Sequence, residues 1–259
     1  MRAHPIYFIG AGPGDPELIT VKGKRILETA DRIVYAGSLV SAEMLKWAKD
    51  GAELIDSAPL TLEQTHGLLV EGYRKGLMVA RLHSGDPGLY GAIHEQMVLL
   101  DAEGIPYEVV PGVSAVFAAA AALKRELTLP EISQTLIITR KSGKTPVPER
   151  ESLASLASHR ATVALYLSVH AIEDVVAELL KHYPENTPVV VAHRVSWPDE
   201  SFIFGTLADI AERVKKAGIR RQALILVGES FAEERPGKRS RLYAPDFSHG
   251  FRKSRGSSA

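Results

Sequence analysis

Short runs of β-branched and aromatic residues alternate with helix-period segments along most of this chain, and that alternation restricts its fold more than any other feature. Ile6-Tyr7-Phe8-Ile9 ends in a glycine loop, and apolar residues then recur at helical spacing from Leu18 to Ala30. Arg32–Tyr35 and Ala52–Ile55 read as further strands, and Thr61-Leu62-Glu63-Gln64 has the form of a capping box opening a helix to Lys75. Met78–Leu82 and Tyr107–Val110 are two more apolar runs, separated by a helix from about Tyr90 to Ala102. Strands joined through helices need crossover connections, so this half predicts a mostly parallel sheet covered by helices.

Pro111-Gly112 interrupts the pattern, and an alanine-rich helix follows. A second series then runs through Leu136–Thr139, Thr162–Tyr166, Pro188–Ala192 and Ala223–Val227. Phe202-Ile203-Phe204 follows Pro188–Ala192 across the turn-rich Ser196-Trp197-Pro198-Asp199-Glu200, which predicts a hairpin and a mixed sheet. The expected organisation is an α/β domain over 1–113, a second over 114–232, and a basic, flexible tail over 233–259.

Composition removes whole classes of function. With 259 residues, 45% of them hydrophobic, the chain can bury full cores. Lys plus Arg (31) equals Asp plus Glu (31), so no global field would hold nucleic acid or an acidic membrane surface. Cysteine is absent, which excludes disulfides, thiolate metal sites and cysteine nucleophiles. The longest small-apolar run, Ala115–Leu123, is too short to span a bilayer, and a cytoplasmic protein is expected. The histidines show no metal-ligand spacing, and no G-x-S-x-G elbow surrounds Ser114, so neither metal nor serine catalysis is indicated.

The chemistry concentrates in three loops. Gly10-Ala11-Gly12-Pro13-Gly14-Asp15-Pro16 ends the first strand and resembles a dinucleotide loop, but Asp15 stands where the third glycine belongs. Pro13 removes an amide, and a carboxylate at the loop's mouth competes with any phosphate, so an uncharged or cationic ligand is favoured. His83-Ser84-Gly85-Asp86-Pro87-Gly88 repeats the glycine–aspartate–proline turn after the fourth strand. There Asp86 is either a plain N-cap ahead of Pro87 or a group facing a ligand. Val110-Pro111-Gly112-Val113-Ser114-Ala115 is the third loop.

Taken in order, these loops resemble the signatures of the tetrapyrrole methylases, S-adenosylmethionine-dependent enzymes of sirohaem and cobalamin synthesis. Gly10–Pro16 with Leu18-Ile19-Thr20 is similar to their first motif, Arg81–Pro87 to the second and Val110–Ser114 to the third. The likeness extends from Ile6 to about Phe231. Tyr35–Ser41, Gly85–Met97, Gln134-Thr135, Arg140, Gly143–Glu149, Trp197–Glu200 and Arg220–Ala223 are similar to one branch, which acts on a precorrin.

The resemblance implies two α/β domains with an active-site cleft between them, a homodimer, and methyl transfer from S-adenosyl-L-methionine to a ring carbon of a tetrapyrrole. S-adenosyl-L-homocysteine would be the product. Carried over by position, the donor would meet Pro13, Ser84, Gly85, Asp86, Leu89, Ser114, Ala115, Leu167 and Val195, with Ala223 and Leu224 closing the adenosine pocket. Arg140, Lys141, Lys144 and Arg194 are candidates for the macrocycle's acidic arms, each equally readable as a solvated cation. Tyr90 and Trp197 either line the site or serve as core aromatics. The uroporphyrinogen branch places an aspartate after its second strand, whereas Tyr35-Ala36-Gly37-Ser38 here holds no acid. The resemblance therefore supplies no catalytic base.

Overall fold

The computed structural model describes residues 4–143, 145–234, 240, 244 and 247–253. The chain divides into two compact units. One comprises the chain through Lys124 with Ala192–Phe202 and Gln222–Leu224; the other comprises Arg125–Val191, Ile203–Arg221 and the chain from Ile225. The boundary expected after residue 113 falls inside the first unit. The expectation of a flexible tail from Glu233 rests mostly on residues outside the description.

The first unit is built on strands β1 (Ile6–Gly10), β2 (Arg32–Tyr35), β3 (Glu53–Asp56), β4 (Val79–His83) and β5 (Tyr107–Val110). They form one sheet in the order β3-β2-β4-β1-β5, with every pair parallel. Because all five run the same way, the loops that follow them emerge along a single edge, the edge at which open α/β sheets bind ligands.

Helix α1 (Val21–Leu27) lies against one face, where Ile9, Leu27, Ile33, Leu82 and Val110 form a buried cluster. Helices α2 (Leu62–Arg74) and α3 (Ile93–Ala102) cover the other, where their Leu69 and Leu100 join Ile6, Phe8 and Val34 in a buried cluster. Burial of each such side chain stabilises the fold by about 1.5–3 kcal/mol. The capping box of α2 is formed: the Thr61 hydroxyl accepts from the Gln64 amide, and the Gln64 side chain accepts from the Thr61 amide.

Two helices start later than their periodicity predicts, each for a local reason. Pro16–Leu18 makes a 3₁₀ turn, and α1 opens only after Thr20, whose hydroxyl caps the Gly23 amide. Tyr90 and Ala92 adopt left-handed backbone (φ 57° and 49°), which delays α3 to Ile93. Helix α4 (Ala115–Ala122) follows the third loop.

The second sheet joins β6 (Leu136–Arg140), β7 (Thr162–Tyr166), β8 (Pro188–His193), β9 (Ser201–Thr206) and β10 (Ala223–Val227) in the order β6-β7-β10-β8-β9. β6 and β7 pair parallel while β7 and β10 pair antiparallel, so the sheet is mixed as expected. Residues 194–200 between neighbours β8 and β9 are too few for a crossover, which makes that pair a hairpin. No helix of the described residues is long and apolar enough to cross a membrane.

Candidate active site

The three glycine loops of the first unit meet backbone to backbone. Gly12 and Gly85 exchange two hydrogen bonds, Gly12 N to Gly85 O (3.2 Å) and Gly85 N to Gly12 O (2.8 Å). A Cβ on Gly112 would overlap the Gly85 carbonyl oxygen, and one on Gly10 would stand 2.5 Å from Gly112 Cα. Those neighbours are main chain and cannot rotate away, so glycine is required at both positions. The spacing of motifs that looked like separate turns is thus one continuous cradle.

Asp86 fastens that cradle. Its Oδ1 accepts from Gly88 N and its Oδ2 from Gly112 N, both at 2.8 Å, so a single carboxylate ties the β4 loop to the β5 loop. Charge-assisted bonds of this kind are stronger than neutral ones. The choice between cap and ligand is resolved in part: Asp86 closes its own turn and also reaches across to another loop.

A fourth segment completes the edge. The β8–β9 turn belongs to the first unit, and Ser196 Oγ accepts from Asp15 N (2.9 Å) while Trp197 Nε1 donates to Pro13 O (2.9 Å). The indole lies over Gly14, leaving no room there for a side chain. Arg194 stacks on the indole, 4.2 Å from a ring centroid, and stands 3.0 Å from Asp199, although its Nε–H is not aligned for a hydrogen bond. Arg194 N donates to Gln222 O (2.9 Å), and Gln222 Nε2 donates to Ser38 O in the loop after β2 (2.8 Å). Asp15 caps the following turn through Glu17 N.

A chain of contacts therefore runs along the edge from Ser38 through Gln222, Arg194 and Trp197 to the glycine cradle. Arg194, Ser196 and Gln222 all have positive φ (46°, 63° and 54°), and so do Tyr90 and Ala92; backbone held in this region costs energy and collects at functional sites.

Beneath the edge, β4 buries Arg81 and His83. Arg81 donates to Ser57 Oγ (2.8 Å) and Val34 O (3.3 Å) and approaches Gln96 Oε1 (3.4 Å). Burial lowers its pKa to about 10, opposed by the charge of Asp56, so it remains a cation at neutral pH. Burial, and secondarily the charge of Arg81, lowers His83 to about 3; the ring is neutral, and Nε2 has no hydrogen-bond partner among the described residues.

The expected donor residues Pro13, Ser84, Gly85, Asp86, Leu89, Ser114, Ala115, Val195, Ala223 and Leu224 all fall in the first unit, together with Arg194. Leu167 lies in the second unit, exposed and left-handed (φ 54°). Arg140 and Lys141 are also there. The Arg140 guanidinium holds its own loop through the carbonyls of Thr145 and Pro146 (2.9 Å each), and Lys141 pairs with Asp174 (3.1 Å). Lys144 lies outside the described residues. Ser196 and Gln222 are structural members of the site that sequence reasoning missed. An aromatic and an acid inside a short turn, Trp197 to Asp199, were the available signal.

A sequence profile of the tetrapyrrole (corrin/porphyrin) methylases matches residues 5–211. The chain belongs to that family. Among its relatives, the precorrin-4 C(11)-methyltransferase of Pseudomonas aeruginosa is 53% identical over 247 residues, covering 95% of this chain and 98% of that protein. The X-ray structure of a cobalamin biosynthetic enzyme, cobalt precorrin-4 methyltransferase, superposes with a TM-score of 0.86 at 49% identity, over 88% of this chain and 96% of that one. A uroporphyrin-III C-methyltransferase from Thermus thermophilus complexed with S-adenosyl homocysteine superposes with a TM-score of 0.75 at 30% identity, over 89% and 96%.

Proposed function

We propose that this chain transfers the methyl group of S-adenosyl-L-methionine to C11 of precorrin-4 or its cobalt-loaded form, giving the precorrin-5 of cobalamin synthesis and S-adenosyl-L-homocysteine. The observation that carries the reading is likeness, at about half identity, to precorrin-4 methylases over nearly the whole chain. The reading also takes the enzyme to be a homodimer, on the family resemblance alone, and cytoplasmic, on its cysteine-free sequence with no bilayer-length apolar run.

The residues present fit a sulfonium donor. The cradle offers glycine backbone where a Cβ would intrude, and the mouth of the first loop carries Asp15 and Pro13 in place of phosphate-binding amides. When bound, the donor supplies a methyl group already activated by the positive sulfur. The protein's own work is then alignment and exclusion of water. Asp86 fixes the distance between two cradle loops, and Trp197 with Ser196 fixes the third. Arg194, partly exposed on the same edge, is a contact for a carboxylate arm of the macrocycle. Arg140 and Lys141 already serve internal partners and must exchange or share them to take that role.

A non-catalytic nucleotide-sensing module would keep the glycine loops but prefer phosphate. Calorimetry with S-adenosylhomocysteine, ATP and NAD separates the two, and binding of the nucleotides alone rejects the methylase. Incubation with precorrin-4 and a donor carrying a ¹³C methyl, followed by carbon NMR, is expected to place the label on C11.

A further inference from the structure

Methylation adds a methyl cation equivalent to the macrocycle, so a neutral, metal-free product requires that one proton leave. The new C–C bond takes its electron pair from the ring system, the C–S pair stays on sulfur, and a ring N–H then gives up its proton. A carboxylate able to take it must stand at the carboxyl edge of the first sheet with an oxygen free to do so.

The acids of that edge hold different partners, and only Asp86 spends both oxygens on them. Both oxygens of Asp86 accept backbone amides. Asp199 faces Arg194, and Glu200 Oε2 accepts from Ser196 N. Asp15 lies at the mouth of the donor cradle, where its charge complements a sulfonium.

Asp56 differs from the others in its place beside the loop after β2. It ends β3 and stands level with Tyr35 of β2, immediately before the acid-free loop Ala36-Gly37-Ser38. Its Oδ1 takes two amides, Gly37 N and Ala58 N, each at 2.8 Å, while Oδ2 meets no hydrogen-bond donor among the described residues. The carboxylate fills the space a side chain at position 37 would occupy, so the glycine admits the acid into that loop. The residue is exposed. β3 is two strands from β4, roughly 10 Å along the edge, which is comparable with the span of a tetrapyrrole reaching out from the donor cradle. The Ser38–Gln222–Arg194–Trp197 contacts connect the same loop to that cradle.

We propose that Asp56 is the proton acceptor for methyl transfer, an inference that rests on the methylase reading. Asp56→Asn retains an oxygen for Gly37 and Ala58 and removes the basicity, together with the charge that acts on buried Arg81. Expected is a fall in kcat of about 100-fold or more. Affinity for S-adenosylhomocysteine by calorimetry, and for metal-free precorrin-4 by its visible absorption, should stay within about threefold of wild type. The wild-type rate is expected to fall on acidification and that fall to vanish in Asp56→Asn, while Asp56→Glu should recover part of kcat.

If Asp56→Asn turns over like wild type, or if Asp15→Asn and not Asp56→Asn removes the acid-side loss, the assignment fails while the methylase reading survives. A variant that loses both affinities marks Asp56 as a loop support instead, which also overturns it. If wild type itself binds the homocysteine product but never methylates precorrin-4, the functional reading falls and the assignment with it.

Discussion

The indole nitrogen of Trp197 donates to the carbonyl of Pro13, so a residue 184 positions later in the chain holds the first glycine loop in place. The same ring excludes any side chain at Gly14. Together with the Ser196–Asp15 bond, this contact ties the β8–β9 turn to the unit built from the first half of the chain rather than to the one that supplies most of its strands.

Trp197→Phe removes the hydrogen bond and keeps most of the ring, at an expected cost of about 1 kcal/mol in urea unfolding. Gly14→Ala forces the indole aside and should cost about 2 kcal/mol or more. In a Trp197→Leu background the same alanine should be nearly neutral, giving a coupling energy of about 1–3 kcal/mol. Additive costs would show that the indole does not pack as described.

Asp86 answers for two loops at once. Asp86→Ala leaves the amides of Gly88 and Gly112 without their acceptor and should weaken S-adenosylhomocysteine binding by about 1–3 kcal/mol in calorimetry. Asp86→Asn keeps one acceptor oxygen and turns an NH₂ towards the other amide, so it should recover only part of that loss. Full affinity in the alanine variant would reduce Asp86 to a turn cap.

His83 predicts a pH dependence of stability. Its folded pKa, about 3, lies below the ordinary 6.5, so the unfolded chain binds the proton more readily. The contribution is complete above about pH 6.5 and is lost as pH falls from there towards 3, at up to about 1.4 kcal/mol per unit. Wild type should lose about 2 kcal/mol between pH 7 and pH 5 from this group, and His83→Asn should lose correspondingly less. Equal slopes in the two proteins would contradict burial of a neutral ring.

Much of the architecture was legible from local pattern. The parallel first sheet followed from alternating short strands and helices, and the capping box at Thr61 and Gln64 formed as written. Helix starts at Val21 and Ile93 were misplaced because a threonine cap and left-handed residues override apolar spacing. The cradle was legible as three motifs, because glycine at strand ends declares close backbone approach.

Sequence alone determined which strand ends carry glycine–aspartate–proline loops, since that depends on residue type at each position. Only the tertiary structure decided that Gly10, Gly85 and Gly112 form one cradle, that Trp197 clasps Pro13, and that Asp56 fills the place of a side chain at Gly37. Each of those contacts joins residues far apart in the chain. Local periodicity records which face a residue buries, and it holds no information about the distant backbone that residue will meet.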